Sequence, residues 1–173
     1  WHVAIILTNE QNFIQKGNIM KLDTGDIFPS LSGMTINGEL QILPQATKTE
    51  WTVILGYRAH WWPYCIRQLA EFEEKLDQFS PINASVYAYS TDSIENTKAM
   101  IEKHGFTMPI LAQVNGPEMV EKQGVYYEER RNILHANSFV LKDDKVISLT
   151  ISNGPIGRMT ASDALGMIKF LQK

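Results

Sequence analysis

The sequence predicts an α/β domain in which helices flank a partly parallel central sheet. Three observations lead to this prediction. Residues 51–57 form an uncharged run rich in β-branched and aromatic side chains, as expected of a strand covered on both faces. Apolar residues then recur at helical spacing through residues 65–79. Further along, strand-like and helix-like segments alternate up to the C-terminus, which is typical of layered α/β domains.

The remaining elements follow from local signals. Asn37-Gly38 is the favoured pair of a type I′ turn and predicts a β-hairpin around it. Ser90 to Asp92 offer N-caps for a helix that starts at about Ser93, Thr160 caps the last helix, and Gly105 predicts a helix end. In chain order we expect a hairpin at 30–43, strands at 82–88 and 109–114, helices at 93–104 and 117–123, irregular chain at 126–134, a hairpin of 135–141 with 145–151, and a last helix after Thr160.

Composition excludes several function classes. The chain has 173 residues, a net charge of −3 and no cluster in which basic and aromatic residues interleave, so nothing favours nucleic acid. Its apolar runs are too short to span a bilayer, so no membrane partner is predicted. A single cysteine excludes a disulfide framework within the chain, and the four histidines show no metal-ligand spacing. A lone thiol suits a reducing compartment, which predicts a cytoplasmic location.

The N-terminal residues leave two interpretations open. Met20 opens a stretch that resembles a natural beginning, so residues 1–19 can be an extension upstream of it. Alternatively, the apolar residues near the start form an added edge strand over residues 2–8. No basic region precedes them, so no signal peptide is predicted. Residues 20–173 are expected to form one domain, since the sequence contains no repeat or linker.

The cysteine occupies a chemically meaningful position. Cys65 falls at the junction between the predicted central strand and the predicted helix. A helix N-terminus carries a partial positive charge and unpaired N–H groups, which favour a thiolate. Arg58 lies seven residues earlier, at the exit of the strand. A structural cysteine packed in the core is the alternative, because cysteine is among the most buried residue types.

The segment around this cysteine, GYRAHWWPYCIRQLAEF, resembles the F-Y-R-G-x-W-C-P-x-C-x-x-x-L signature of AhpC/TSA peroxiredoxin-like proteins. Further motifs agree in order: DIFP resembles the opening G-D-x-x-P, STDS matches S-x-D-S, and FVLKDDK matches F-V-x-D-x-D-G-K. SNGPIGRM resembles a late loop that carries an arginine, here Arg158. Two positions depart from the family: Trp62 replaces the first motif cysteine, and Ala136 stands where peroxiredoxins usually have an arginine.

The resemblance implies a thioredoxin-like fold, a mixed central sheet flanked by helices, with an N-terminal β-hairpin. It also implies a thiol-dependent peroxidase that reduces hydrogen peroxide or organic hydroperoxides without a cofactor or metal. The catalytic residues would be Cys65, Arg158 and Arg58. The substrate-binding residues would be Tyr57, His60 and Trp62.

The same resemblance implies the partners. With one cysteine in the chain, the oxidised thiol would be reduced by an external thiol of the thioredoxin, glutaredoxin or glutathione class. Relatives commonly dimerise, which leaves a homodimer open. Two alternatives to the peroxidase also stay open: a redox-inactive thioredoxin-fold binding module, and an oxidation sensor that works through Cys65 alone.

Overall fold

A computed structural model describes residues 21–154 and 156–173. The N-terminal extension, with its two interpretations, lies outside the described residues. The described chain forms nine strands and five α-helices. The strands are β1 (Leu31–Met34), β2 (Leu40–Leu43), β3 (Trp51–Gly56), β4 (Ala84–Tyr89), β5 (Ile110–Leu111), β6 (Tyr127–Glu128), β7 (Ile133–Leu134), β8 (Asn137–Lys142) and β9 (Lys145–Ile151). The helices are α1 (Pro63–Glu74), α2 (Leu76–Phe79), α3 (Ile94–His104), α4 (Gly116–Gln123) and α5 (Ala161–Leu171).

The central sheet is mixed and has the strand order β5-β4-β3-β8-β9. β3, β4 and β5 run parallel, whereas β8 pairs antiparallel with β3 and β9 pairs antiparallel with β8. β3 lies at the centre and is buried at all six of its positions. The predicted mixed sheet flanked by helices is therefore confirmed. The predicted N-terminal hairpin is β1–β2, which forms a separate two-stranded sheet.

Two apolar clusters cover the two faces of this sheet. On one face, Val53 and Leu55 of β3 pack with residues of α1 and α5, including Leu69 and Leu165. On the other face, Ile54 packs with residues of the β1–β2 hairpin and α4. Successive strand residues point to opposite faces, so an uninterrupted apolar run can serve both layers.

Helix α5 begins after its predicted cap, Thr160, whereas α3 is capped by Ser93 and not by the predicted residues 90–92. Ser93 accepts a hydrogen bond from the Asn96 N–H, and Thr160 accepts one from the Asp163 N–H. These side chains satisfy backbone donors that would otherwise lack partners in the first turn. Gly105 follows α3 with φ of 70°, a left-handed conformation that glycine adopts without strain.

Three local predictions were wrong. Residues 126–134 are not irregular: β6 and β7 pair antiparallel around a short 3₁₀ turn, Glu129–Arg131. The first hairpin does not turn through a type I′ pair, because only Gly38 of the Asn37-Gly38 pair has positive φ. Its loop is longer, and the Thr35 N–H donates to the Glu39 carbonyl at 2.8 Å. The long predicted helix breaks at Lys75 into α1 and α2.

No helix among the described residues is long and apolar enough to cross a membrane.

We expect Gly56→Ala to destabilise the protein and Gly166→Ala to stabilise it. A Cβ at Gly56 would lie 2.3 Å from Oδ1 of the buried Asn137, so the strand or the side chain must shift. Such overpacking costs about 1–3 kcal/mol. Gly166 lies in the middle of α5 with open space around it, and alanine there gains about 0.5–1 kcal/mol. Urea unfolding measures both changes, and equal effects of the two substitutions would contradict the packing around Asn137.

Candidate active site

The thiol lies in the first turn of α1. The helix begins at Pro63, whose fixed φ and missing N–H suit a first helical position, and Cys65 is its third residue. The Cys65 N–H donates to the Trp62 carbonyl at 3.0 Å. The side chain is fully buried, and the helix N-terminus presents its partial positive charge to the sulfur. The sequence-based placement of Cys65 at the strand-to-helix junction is therefore confirmed.

Two donors converge on the Cys65 sulfur. The backbone N–H of Arg58 donates to Sγ at 3.2 Å, and Nη2 of Arg158 donates to Sγ at 3.3 Å. The second contact joins residues that are 93 positions apart in the chain. The guanidinium beside the sulfur also presents further N–H donors in a fixed fork.

Helix α1 holds the segment that carries Arg158. The Gln68 Nε2 donates to the Met159 carbonyl at 2.9 Å, next to the arginine. The Glu71 carboxylate accepts a hydrogen bond from the Ala161 N–H at 3.0 Å, at the start of α5. These two residues follow Cys65 at steps of three and therefore lie on the same side of the helix. One helix face thus carries the thiol and both side chains that hold the opposite segment.

Arg58 reaches the sulfur by its backbone, and its guanidinium lies elsewhere. The guanidinium carbon is 4.6 Å from the centre of the Trp62 ring, and the residue is almost completely buried. Burial lowers the pKa of Arg58, and the positive charge of Arg131 lowers it further. The contact that Arg58 makes with the sulfur is through its backbone N–H, and the catalytic role predicted for its guanidinium stays a prediction.

The structure shows the surroundings of Tyr57 and His60, whose predicted role in substrate binding stays a prediction. Tyr57 is fully buried in the same apolar cluster as Cys65. Burial raises its pKa above the ordinary range, while the hydroxyls of Ser90 and Thr97 act in the opposite direction. His60 is held by Asp92, which accepts from the His60 backbone N–H at 2.7 Å and lies 3.2 Å from Nδ1.

Trp62, the third residue predicted to bind substrate, is one of three aromatic residues near the start of α1 that pack against arginines. This group of aromatic rings and arginines is called the rim below. Its ring packs edge-on against Trp61 at 5.5 Å. Each of the aromatic rings at positions 61, 62 and 64 has at least one guanidinium over it. These guanidinium–ring contacts are Arg58–Trp62, Arg131–Trp61, Arg67–Tyr64 and Arg158–Tyr64, at 4.6, 5.9, 5.4 and 5.8 Å. Such contacts are favourable electrostatically and fix both partners.

The β6–β7 hairpin supplies residues that the sequence analysis missed. Arg131 binds the Glu128 carboxylate through Nε and Nη2, both at 2.6 Å. His135 lies beside Tyr126, and its pKa is lowered by burial and then by the positive charge of Arg58. The spacing Glu128-x-x-Arg131 was the available signal for this ion pair. Because residues 126–134 are predicted to be irregular, the sequence analysis does not lead to this pair.

The described residues contain no group of three or more His, Cys, Asp or Glu side chains arranged to hold a metal ion. The chemistry available at this site is that of a buried thiol flanked by a guanidinium, a backbone N–H and a helix N-terminus. The class of protein that the fold and the site define is a thioredoxin-like domain with one arginine-flanked thiol at the start of its first long helix.

Comparison with known proteins identifies the family. Residues 24–150 match the model of the AhpC/TSA family, so the chain belongs to that family. A curated peroxiredoxin from Hyperthermus butylicus is 28% identical over 156 residues, which cover 86% of this chain and 66% of that protein. A peroxiredoxin from Archaeoglobus fulgidus is 30% identical over 70 residues, or 40% of this chain and 32% of that protein. The chain thus spans less than two thirds of the length of these relatives.

Solved structures agree on the fold. Peroxidoxin BcpB from Mycobacterium tuberculosis superposes with a TM-score of 0.75 at 20% identity, covering 88% of this chain and 99% of that one. A peroxiredoxin-like protein from Aquifex aeolicus has a TM-score of 0.74, also at 20% identity, and covers 87% of this chain and 88% of that one. The predicted thioredoxin-like fold is therefore confirmed.

We expect acid to destabilise the protein partly through His135. Because its pKa in the folded protein lies below the ordinary 6.5, the unfolded chain binds more protons there as the pH falls through that value. Titration of His135 therefore leaves the free energy of unfolding unchanged above about pH 6.5 and lowers it below that pH. Urea unfolding at pH 7 and pH 5.5 measures the free energy of unfolding at each pH. Between the two, that free energy should fall less for His135→Gln than for the unsubstituted protein. Identical losses would contradict the placement of His135 beside the arginines.

Proposed function

We propose that the protein is a thiol-dependent peroxidase whose nucleophile is Cys65. The observation that carries this proposal is the pair of donors on the sulfur, the Arg58 N–H at 3.2 Å and the Arg158 guanidinium at 3.3 Å. A buried core cysteine does not require a charged donor, whereas a nucleophilic thiolate does. Membership of the AhpC/TSA family and similarity to proteins named peroxiredoxin support the same reaction.

The proposed oxidation step forms one bond and breaks one. The Cys65 thiolate attacks the terminal oxygen of a hydroperoxide, the O–O bond breaks, and the sulfur becomes a sulfenic acid. The electron pair of the broken bond leaves on the second oxygen, which takes a proton and departs as water or an alcohol. Arg158 stabilises the negative charge that develops on the two oxygens, because its fork presents donors beside the sulfur.

Regeneration needs a thiol from outside the chain, because Cys65 is its one cysteine. An external thiol attacks the sulfenic acid, water leaves, and a mixed disulfide forms. A second thiol then attacks this disulfide and restores Cys65. The thioredoxin, glutaredoxin and glutathione classes all remain proposals for this role. The cytoplasmic location, the homodimer and the single domain over residues 20–173 remain predictions.

One observation favours the alternative of a redox-inactive binding module, namely the complete burial of Cys65. A hydroperoxide reaches the sulfur only if the surrounding side chains move aside. Replacement of the thiol separates the two functions directly, since a binding module has no use for its reactivity.

We expect Cys65→Ser to abolish hydroperoxide consumption in the presence of a thiol reductant. The substitution keeps the size of the side chain and removes the nucleophile, so far-UV circular dichroism and the melting temperature should change little. The measurement is peroxide loss over time with dithiothreitol as the reductant. Equal peroxide consumption by Cys65→Ser and by the unsubstituted protein would contradict the peroxidase proposal. Oxidation of Cys65 without turnover would favour the oxidation sensor.

We expect Arg158→Met to lower the second-order rate constant for hydrogen peroxide by roughly 10²- to 10³-fold, the usual effect of removing a donor from a developing oxyanion. The rate constant of Arg158→Lys should lie between those of Arg158→Met and the unsubstituted protein, because lysine keeps the charge and loses the fork of donors. Arg130→Met is the matched control, since Arg130 is exposed on the 3₁₀ turn and should leave the rate constant within about twofold. An Arg158→Met enzyme that keeps its rate constant would remove Arg158 from the mechanism.

A further inference from the structure

We propose that Trp62 is a positioning residue for the peroxidase reaction, because its ring holds the Arg58 guanidinium within electrostatic reach of the Cys65 sulfur. This inference rests on the proposed peroxidase activity and gives Trp62 a part in it that needs no contact with the substrate. The juxtaposition that carries the inference is a closed set of contacts among these three residues.

Arg58, Trp62 and Cys65 each contact the other two. The Arg58 backbone N–H donates to the Cys65 sulfur at 3.2 Å, and the Cys65 N–H donates to the Trp62 carbonyl at 3.0 Å. The Arg58 guanidinium carbon lies 4.6 Å from the centre of the Trp62 ring, closer than in the other three guanidinium–ring contacts of the rim. Because the Arg58 backbone is fixed at the sulfur, the direction of its side chain decides where its charge lies.

The Arg58 side chain is a buried cation without a polar partner among the described residues. The residue is 4% exposed, and its buried Nε finds no hydrogen-bond acceptor in the part of the chain that the structure describes. Glu128 of β6 is already bound by Arg131 through both of its carboxylate oxygens. A buried charge is costly unless it is compensated, so the electron-rich face of the Trp62 ring is the contact that holds this guanidinium.

The charge of Arg58 acts on the sulfur through space. Burial lowers the pKa of Arg58 most, the positive charge of Arg131 lowers it further, and negative charge on Cys65 acts in the opposite direction. Attraction between two charges is mutual, so a guanidinium held at the Trp62 ring also stabilises negative charge at the sulfur. Trp62 therefore keeps in place a cation that Arg131 repels.

This position suits the oxidation step. Negative charge moves from the sulfur to the leaving oxygen while the hydroperoxide is attacked. Arg158 contacts the sulfur at 3.3 Å, and Arg58 adds a second cation on the side of the Trp62 ring. A cation that is fixed in advance stabilises developing charge strongly in a water-poor site. The residue that replaces the first motif cysteine thus contributes to the site by positioning an arginine.

The test measures the charge near the sulfur separately from the exposure of the sulfur. Alkylation of Cys65, the one cysteine of the chain, is timed with iodoacetate, which is anionic, and with iodoacetamide, which is neutral and of similar size. Both reagents react with the thiolate, so the ratio of their rate constants cancels differences in thiolate fraction and in access. Each rate constant is divided by that of the same reagent with free N-acetylcysteine, which removes intrinsic differences in reactivity.

We expect Trp62→Leu to lower the ratio of iodoacetate to iodoacetamide by roughly three- to tenfold, as the loss of one nearby positive charge allows. Trp62→Phe should keep the ratio within about twofold, because phenylalanine also presents a ring face to a cation. Trp61→Leu is the matched control, since it removes a neighbouring exposed ring whose guanidinium partner is Arg131, and it should leave the ratio unchanged. The rate constant for hydrogen peroxide should fall in Trp62→Leu and recover in Trp62→Phe.

A double-mutant cycle shows whether Trp62 acts through Arg58. Arg58→Met should lower the ratio as much as Trp62→Leu does, and Trp62→Leu should have no further effect in the Arg58→Met background. Trp62→Met is a second variant without a ring, and it replaces Trp62→Leu in the cycle if circular dichroism shows that Trp62→Leu does not fold.

An unchanged ratio in the folded variant without a ring, an equal loss in Trp61→Leu, or additive effects of the Trp62 and Arg58 substitutions would overturn the inference. So would a lowered ratio with an unchanged rate constant for hydrogen peroxide, because Trp62 would then have no part in the reaction. In these cases the unsubstituted protein still consumes hydrogen peroxide, and the peroxidase proposal stands. If the unsubstituted protein consumes none, the peroxidase proposal falls and this inference falls with it.

Discussion

The contact between the Arg158 guanidinium and the Cys65 sulfur depends on nearly every layer of the fold. β3 delivers the thiol to the start of α1, and the β8–β9 hairpin returns the chain so that Arg158 can approach from the other side. The hydrogen bonds from Gln68 to the Met159 carbonyl and from the Ala161 N–H to Glu71 then fix that approach. A shift of α1 against α5 would therefore separate the thiol from its cation.

Burial of Cys65 strengthens the interaction between its sulfur and the Arg158 guanidinium, and it also restricts access to the sulfur. An arginine beside a thiolate acts more strongly in a water-poor site than in bulk solvent, because the effective dielectric constant is lower. The same burial keeps the Cys65 sulfur out of contact with solvent. The arginines over Trp61, Trp62 and Tyr64 give that rim a positive charge and flat apolar surfaces together.

Much of the fold could be predicted from periodicity and capping, because these signals are local and repeat over several residues. The uncharged run at β3, the apolar stripe of α1 and the cap at Thr160 all have this character. β6 and β7 could not be predicted, since strands of two residues have no period to detect. Their pairing rests on contacts with the rest of the domain, which the local sequence does not record.

The residues of the candidate site also divide into those that the sequence predicts and those that it does not. Cys65 and Arg158 were found from motifs, since a strand-to-helix junction and an arginine in a late loop are visible in the sequence. The part played by Arg58 was not, because a sequence cannot tell whether a residue reaches the sulfur by its side chain or by its backbone N–H. Tyr57 and His60 carry suitable functional groups, and their part in substrate binding stays a prediction. The structure buries Tyr57 in the same apolar cluster as Cys65 and holds His60 through Asp92.

The central claim, that Cys65 is a nucleophile activated by its two donors, is tested most directly by locating the first oxygen that the protein takes up. The measurement is peptide mass spectrometry after one equivalent of hydrogen peroxide and immediate trapping with a sulfenic-acid reagent. We predict that Cys65 carries the trapped product before any of the seven methionines is oxidised. Methionine oxidation with Cys65 left as a thiol would contradict the account.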